Sequence, residues 1–142
     1  MATNLYPPGI RLVDPADIIA ATLIKMPVTI NVAGPATLSA GDITGGQRCT
    51  LITTNAAPGT LTTRTALQMY GEDPAAAPGD GYQLRICNSG AGVLTLAGGT
   101  GVTVSGTATV AGGTFRGFIV NYTGTPSAPI VTMTNIGSGT YP

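Results

Sequence analysis

An all-β fold follows from three features of this 142-residue chain. Apolar and polar residues alternate with period two in Tyr82-Gln83-Leu84-Arg85-Ile86-Cys87-Asn88, the spacing of a strand with one buried face. Short β-prone runs then follow at Val93–Leu96, Val102–Val104, Thr107–Val110, Phe118–Tyr122 and Ile130–Met133. Gly or Pro bounds each run, and short strands at such close spacing mark a sandwich or barrel rather than βαβ units.

Taken in order, residues 1–26 read as an extended N-terminal arm. Tyr6-Pro7-Pro8-Gly9 fits neither a helix nor a central strand, because consecutive prolines fix φ and remove donors. Asp14-Pro15 resembles a cap followed by proline at the first helical position, which predicts a short helix over 16–21. Leu5, Tyr6, Ile10, Leu12 and Val13 make the arm apolar, and such a segment suits ordering on a partner. Residues 27–142 are read as a single β-sandwich knob. Its first strands are expected at Val28–Val32 and Arg48–Thr54, separated by Gly34-Pro35, Gly45-Gly46 and Pro58-Gly59. Thr65–Tyr70 carries helix formers for one or two turns, and an Ala- and Pro-rich loop follows to Asp80.

One near repeat stands out: Thr95-Leu96-Ala97-Gly98-Gly99-Thr100-Gly101 returns as Thr109-Val110-Ala111-Gly112-Gly113-Thr114-Phe115. Two copies fall short of the three or so stacked units a solenoid needs. The expectation is two similar strand-to-turn corners, with the paired glycines supplying positive φ.

Composition narrows the function. Six basic and six acidic side chains balance, histidine is absent, and 8% of residues are charged against roughly 25% in an ordinary soluble domain. So few charges predict a neutral, hydroxyl-rich coat or a surface covered by neighbours, and hence a permanent homo-oligomer. Arg11, Lys25, Arg48, Arg64, Arg85 and Arg116 are scattered singly, which argues against nucleic-acid binding through phosphates. The most apolar stretch, Ile18–Val32, is short of a membrane span and contains Lys25 and Pro27. The opening residues lack the basic start and apolar run of a secretory signal, so the chain reads as a soluble product of a cytoplasm.

No constellation supports an enzyme, a cofactor or a metal. Without an imidazole, proton shuttling falls to carboxylates and thiols. Asp14 and Asp17 suit first-turn charges, Glu72-Asp73 reads as an acidic solvated loop, and Asp80 before Gly81 reads as a turn. Cys49 and Cys87 are expected as reduced thiols buried in strands, with a disulfide as the other possibility. Gly98-Gly99-Thr100-Gly101 lacks the Lys-Ser/Thr ending and following helix of a phosphate loop. Thr-x-Thr triplets at 63–65, 107–109, 123–125 and 132–134 have no fixed period, which weighs against an ice-binding face.

The stretch from Thr65-Ala66-Leu67-Gln68-Met69 through Gly79-Asp80-Gly81-Tyr82-Gln83-Leu84-Arg85-Ile86-Cys87-Asn88, Leu94–Val104, Gly106–Thr114 and Phe118-Ile119-Val120 resembles a pattern of tailed-phage structural proteins. It covers about residues 60 to 136. It is similar to capsid decoration (cement) proteins and to head or tail-fibre β-knob domains. The resemblance implies a jelly-roll-like β-sandwich of short antiparallel strands and a homotrimer. It also implies a place on the outer capsid surface of a virion, with the major capsid protein as partner and no catalytic residues. Arm residues Leu5, Tyr6, Ile10, Leu12 and Val13 become the expected capsid contacts. A tail-fibre or spike domain that binds a host receptor is the alternative; an arm plus one knob, with no shaft repeats, favours decoration.

Overall fold

The computed structural model describes residues 25–32 and 34–142. Among the described residues, ten strands form two sheets. They are β1 (Val28–Ile30), β2 (Ala36–Thr37), β3 (Arg48–Thr53), β4 (Gly59–Thr62), β5 (Gly81–Asn88), β6 (Leu94–Ala97), β7 (Val102–Ser105), β8 (Thr109–Val110), β9 (Thr114–Tyr122) and β10 (Val131–Thr140). A helix, α1 (Ala66–Glu72), lies between β4 and β5. The larger sheet, A, has the order β1-β3-β5-β9-β10-β7, and the smaller, B, has β2-β4-β6-β8.

The first six strands alternate between the sheets, and each lies parallel to the strand two before it. In sheet A, Val28 pairs with Leu51 and Arg48 with Gln83; in sheet B, Ala36 pairs with Leu61 and Gly59 with Leu94. The chain therefore winds as three stacked coils, each coil giving one strand to each sheet. Beyond them, β9 is antiparallel to β5 and β10 to β9, β8 is antiparallel to β6, and β7 is parallel to β10. The mainly-β expectation holds, but the antiparallel, jelly-roll-like order is corrected for the first three coils. Parallel neighbours need a long crossover, and here the crossover is a strand of the opposite sheet. Residue alternation is the same for either direction, so the sequence pattern did not distinguish them. Residues 1–24 of the expected arm, and with them the helix over 16–21, lie outside the described residues.

Both sheets close on one core. Alternate residues of β5 (Tyr82, Leu84, Ile86) face inward and meet Leu51, Leu61, Leu94, Leu96, Val110, Phe118, Val120, Val131 and Met133. Fully burying each such side chain contributes about 1.5–3 kcal/mol. Two strands went unforeseen. β2 is two residues long, and β4 begins at Gly59, a residue that reads as a turn signal.

Backbone bonding continues around the corners between coils. Ser89 N donates to Thr53 O (2.8 Å), Gly92 N to Asn55 O (3.1 Å), Thr63 N to Ala97 O (2.9 Å) and Ala66 N to Thr100 O (2.9 Å). Stacking this tight leaves no room for side chains. A Cβ on Gly99 would lie 2.7 Å from Thr63 O, and one on Gly112 would lie 2.5 Å from Gly90 O. This revises the reading of the near repeat: of its four paired glycines only Gly113 has positive φ (69°). Gly99 and Gly112 serve close approach between coils, whereas Gly98 lies against Val102 O within its own corner.

Helix α1 forms where the helix formers stand because Thr65 caps it. Thr65 Oγ1 accepts from Gln68 N, and Gln68 Oε1 accepts from Thr65 N, which completes a capping box. The helix stops before Pro74, since the residue preceding a proline is driven out of the α region. Ala66, Met69 and Tyr70 are its buried face.

Candidate functional site

Glu72 and Asp73, read from sequence as a solvated acidic loop, are structural acceptors. Glu72 Oε2 accepts from Thr44 Oγ1 (2.5 Å) and Gly41 N (3.1 Å), and Oε1 accepts from Arg64 Nε (2.9 Å). Asp73 accepts from Gly45 N (2.9 Å) and from Tyr122 OH (2.5 Å). Two adjacent carboxylates at the C-terminal end of α1 thus fasten the loop between β2 and β3 to β9. Lys25 Nζ adds a bond to Thr44 O (2.8 Å). The signal for this latch was absent from local sequence, because the donors Gly41, Thr44, Gly45 and Tyr122 lie 28 to 49 residues away from their acceptors.

Beside the latch lies an open cleft of about 570 Å³, lined in part by Gly45, Gln47, Asp73, Tyr82 and Tyr122. Its aromatic wall is packed. Tyr70 and Tyr122 meet edge to face with centroids 4.7 Å apart, and Tyr70 OH donates to Gly124 O. Burial first, and then the Asp73 hydrogen bond, hold the Tyr122 phenol above its ordinary range; burial does the same to Tyr82. Desolvation pushes the Cys49 thiol up to about 11 and raises Cys87. All four groups stay protonated near neutral pH and supply hydrogen-bond donors or apolar bulk rather than nucleophiles.

Both cysteines are free and buried. Cys49 pairs in register with Leu84, which faces the core, whereas Cys87 pairs with Ile52 on the other face of sheet A. Their side chains leave the sheet in opposite directions, so no disulfide joins them. Among the described residues no group of three His, Cys, Asp or Glu side chains could hold a metal ion, and no helix is long and apolar enough to cross a membrane. Asp80 sits in a turn as expected, accepting from Ala77 N (2.9 Å).

Each sheet also presents an outer face. On sheet B the rows Thr37–Thr62–Ala97 and Thr60–Thr95–Thr109 run across the strands and carry hydroxyls and methyls with no charge. Thr60-Leu61-Thr62, a further Thr-x-Thr triplet, supplies the centre of this face. On sheet A, Ile52, Cys87 and Phe115 form a cross-strand row, and Arg85 lies over the Phe115 ring at 3.8 Å. Beyond Arg85, the single charged side chain in the remainder of the sequence is Arg116. Its Nε donates to Thr109 O (2.7 Å) and so ties β9 to β8. The expected capsid contacts Leu5, Tyr6, Ile10, Leu12 and Val13 lie outside the described residues. Comparison with protein-family models, with curated proteins and with solved structures finds no match to this chain.

The latch makes stability depend on acid in a definite direction. Burial alone would raise the Glu72 carboxyl, but hydrogen bonds from Thr44, Gly41 and Arg64, with the Arg64 charge, outweigh it and hold the group below its ordinary value. A carboxyl depressed in the folded state contributes stability above its unfolded pKa, and that contribution is lost as pH falls through the folded value. Urea midpoints should therefore drop below about pH 4.3. Glu72→Ala strands three donors and should cost about 2 kcal/mol at pH 7, with a flatter acid profile. An unchanged midpoint in that variant would rule the latch out as a stabilising element.

Proposed function

We propose that the protein is a virion structural subunit, a capsid decoration (cement) protein that binds the assembled major capsid shell from outside and stabilises it. The observation that carries this reading is the nearly charge-free surface. The outer face of sheet B is hydroxyl and methyl throughout, and the sequence after Arg85 contributes one charged side chain. Such a surface suits permanent burial against neighbouring subunits better than life as a free monomer. The buried phenols and thiols and the engaged carboxylates are occupied in holding the fold, which leaves assembly as the work of the surface. The resemblance of residues 60 to 136 to phage head proteins points the same way.

A cement protein acts by mass action. Because it binds the assembled shell, at a free concentration about 100 times its Kd it stabilises that state by about 2.7 kcal/mol per site. The apolar arm would add its own contact, with Leu5 to Val13 laid along a capsid subunit and pairing with an exposed edge. Deletion of residues 1–13 should abolish co-sedimentation with expanded capsids and leave the subunit's own oligomer intact. Unchanged capsid binding would overturn the arm's role. Residence in the tail, seen by labelling intact particles, would instead favour the receptor-binding alternative.

A further inference from the structure

The open edge of sheet A at β7 has the makings of a self-pairing interface, and we propose that two copies of this chain join there, strand to strand, about a two-fold axis. β7 ends the strand order of sheet A, with β10 on one side and no strand on the other among the described residues. Exposed edges in soluble proteins are ordinarily guarded by a lysine, a proline or a bulge. β7 reads Val-Thr-Val-Ser and carries none of these, and no charged residue occurs from Ser89 to Phe115. Bringing this edge against its own copy therefore sets no like charges together.

The register follows from the faces. Val102 and Val104 align with Val131 and Met133, both fully buried, so their side chains point to the core. Val102 is buried, yet Val104 is only partly so, an inward side chain left half uncovered at the rim. An antiparallel pair about a two-fold keeps core faces together only if residues of like face oppose each other. Centring the axis on Thr103 meets this condition. Thr103 then faces Thr103 of the second copy on the outer side, and Val102 faces Val104 on the core side, which covers the exposed part of both Val104 side chains. Ser105 comes opposite Gly101, beside which Ile130 stands half exposed, so Ile130 gains cover as well. A two-fold interface is self-complementary in this way, each contact occurring twice. The inference goes beyond the coat-protein reading and does not depend on it.

The test uses the full-length protein with Thr103→Cys, mildly oxidised and run on a non-reducing gel. Opposed residues of an antiparallel pair have Cα atoms about 4.5–5.5 Å apart, inside the roughly 4.4–6.8 Å span of a disulfide. A covalent dimer is expected, while Thr95→Cys, exposed on the outer face of sheet B, should remain uncrosslinked. The buried native thiols should contribute little background. By light scattering the wild type should have twice the 14.1 kDa subunit mass, or a higher even multiple, at concentrations where Thr103→Lys has the mass of one subunit or of half that assembly. Thr103→Lys should keep the wild-type circular dichroism, since its side chain points to solvent. A wild-type mass of one or three subunits, no crosslink in the Thr103→Cys protein, or an unchanged mass for a folded Thr103→Lys would each overturn the pairing. Capsid co-sedimentation, measured separately, tells that failure from failure of the coat-protein reading.

Discussion

Gly90→Ala should lower the unfolding free energy by at least about 3 kcal/mol, the upper range for overpacking. The reason is the distance between stacked coils rather than torsion. A Cβ at position 90 would lie 2.0 Å from Asn55 O and 2.6 Å from Asn55 C, both backbone atoms with no rotamer to escape into. Relief requires the corner after β3 and the corner after β5 to separate, which lengthens the Gly92 N to Asn55 O bond and the ladders leading into it. The next corner shares the strain, because Gly112 packs on Gly90 O from the other side. Gly71→Ala is the matched control. It lies in α1 with nothing within 4 Å of its prospective Cβ, and there the same change should stabilise by about 0.5–1 kcal/mol. Urea unfolding of the two variants compares close approach directly with helix propensity. A Gly90→Ala protein within about 1 kcal/mol of wild type would mean that the coils are not stacked as described.

These glycines also show where the sequence was legible and where it was not. Period-two alternation located β5, and the β-prone runs located β3, β6, β7, β9 and β10, because burial of one face leaves a mark on consecutive residues. The helix formers of Thr65–Tyr70 marked α1, whereas the capping box of Thr65 and Gln68 was read from the structure. Coil stacking leaves no such mark. Gly90, Gly99 and Gly112 look like turn glycines in sequence, and their partners lie in other coils. Strand direction is likewise a property of connections, and the crossovers from β1 to β3 and from β3 to β5 are hidden in β2 and β4, the two strands too short or too glycine-marked to notice. The carboxylates were visible as a pair, but their role depends on Thr44, Gly45 and Tyr122, brought to them by the fold.

Asn88→Ala should be nearly as damaging, at about 3–5 kcal/mol, because this side chain ties the corner after β5 to β8. Asn88 is fully buried at the end of β5. Its Nδ2 donates to Gly92 O (2.7 Å) and Val110 O (3.0 Å), and its Oδ1 accepts from Gly90 N (3.1 Å). Truncation strips Val110 O and Gly90 N of this partner and leaves Gly92 O with the Asn55 bond alone, and each unmet group in a dry place costs about 1–3 kcal/mol. Asn55, one corner earlier, should matter less when truncated. It donates to Ala57 O and Gly92 O, but its Oδ1 already lacks a partner. Asn88→Asp separates shape from hydrogen bonding. The oxygen toward Gly90 N is kept, while the donor toward Gly92 and Val110 becomes an oxygen facing two carbonyls. Ionisation there is disfavoured both by burial and by those dipoles, so the folded state holds the new carboxyl protonated to higher pH than the unfolded chain does. A raised folded value gives stability that is present at low pH and lost as pH rises through it. The Asn88→Asp protein should therefore gain in urea midpoint from pH 7 to pH 5, a range above the window in which the wild type begins to lose the Glu72 contribution. Equal midpoints at the two pH values would mean that position 88 is wet, and the corner it is said to hold would not be a dry one.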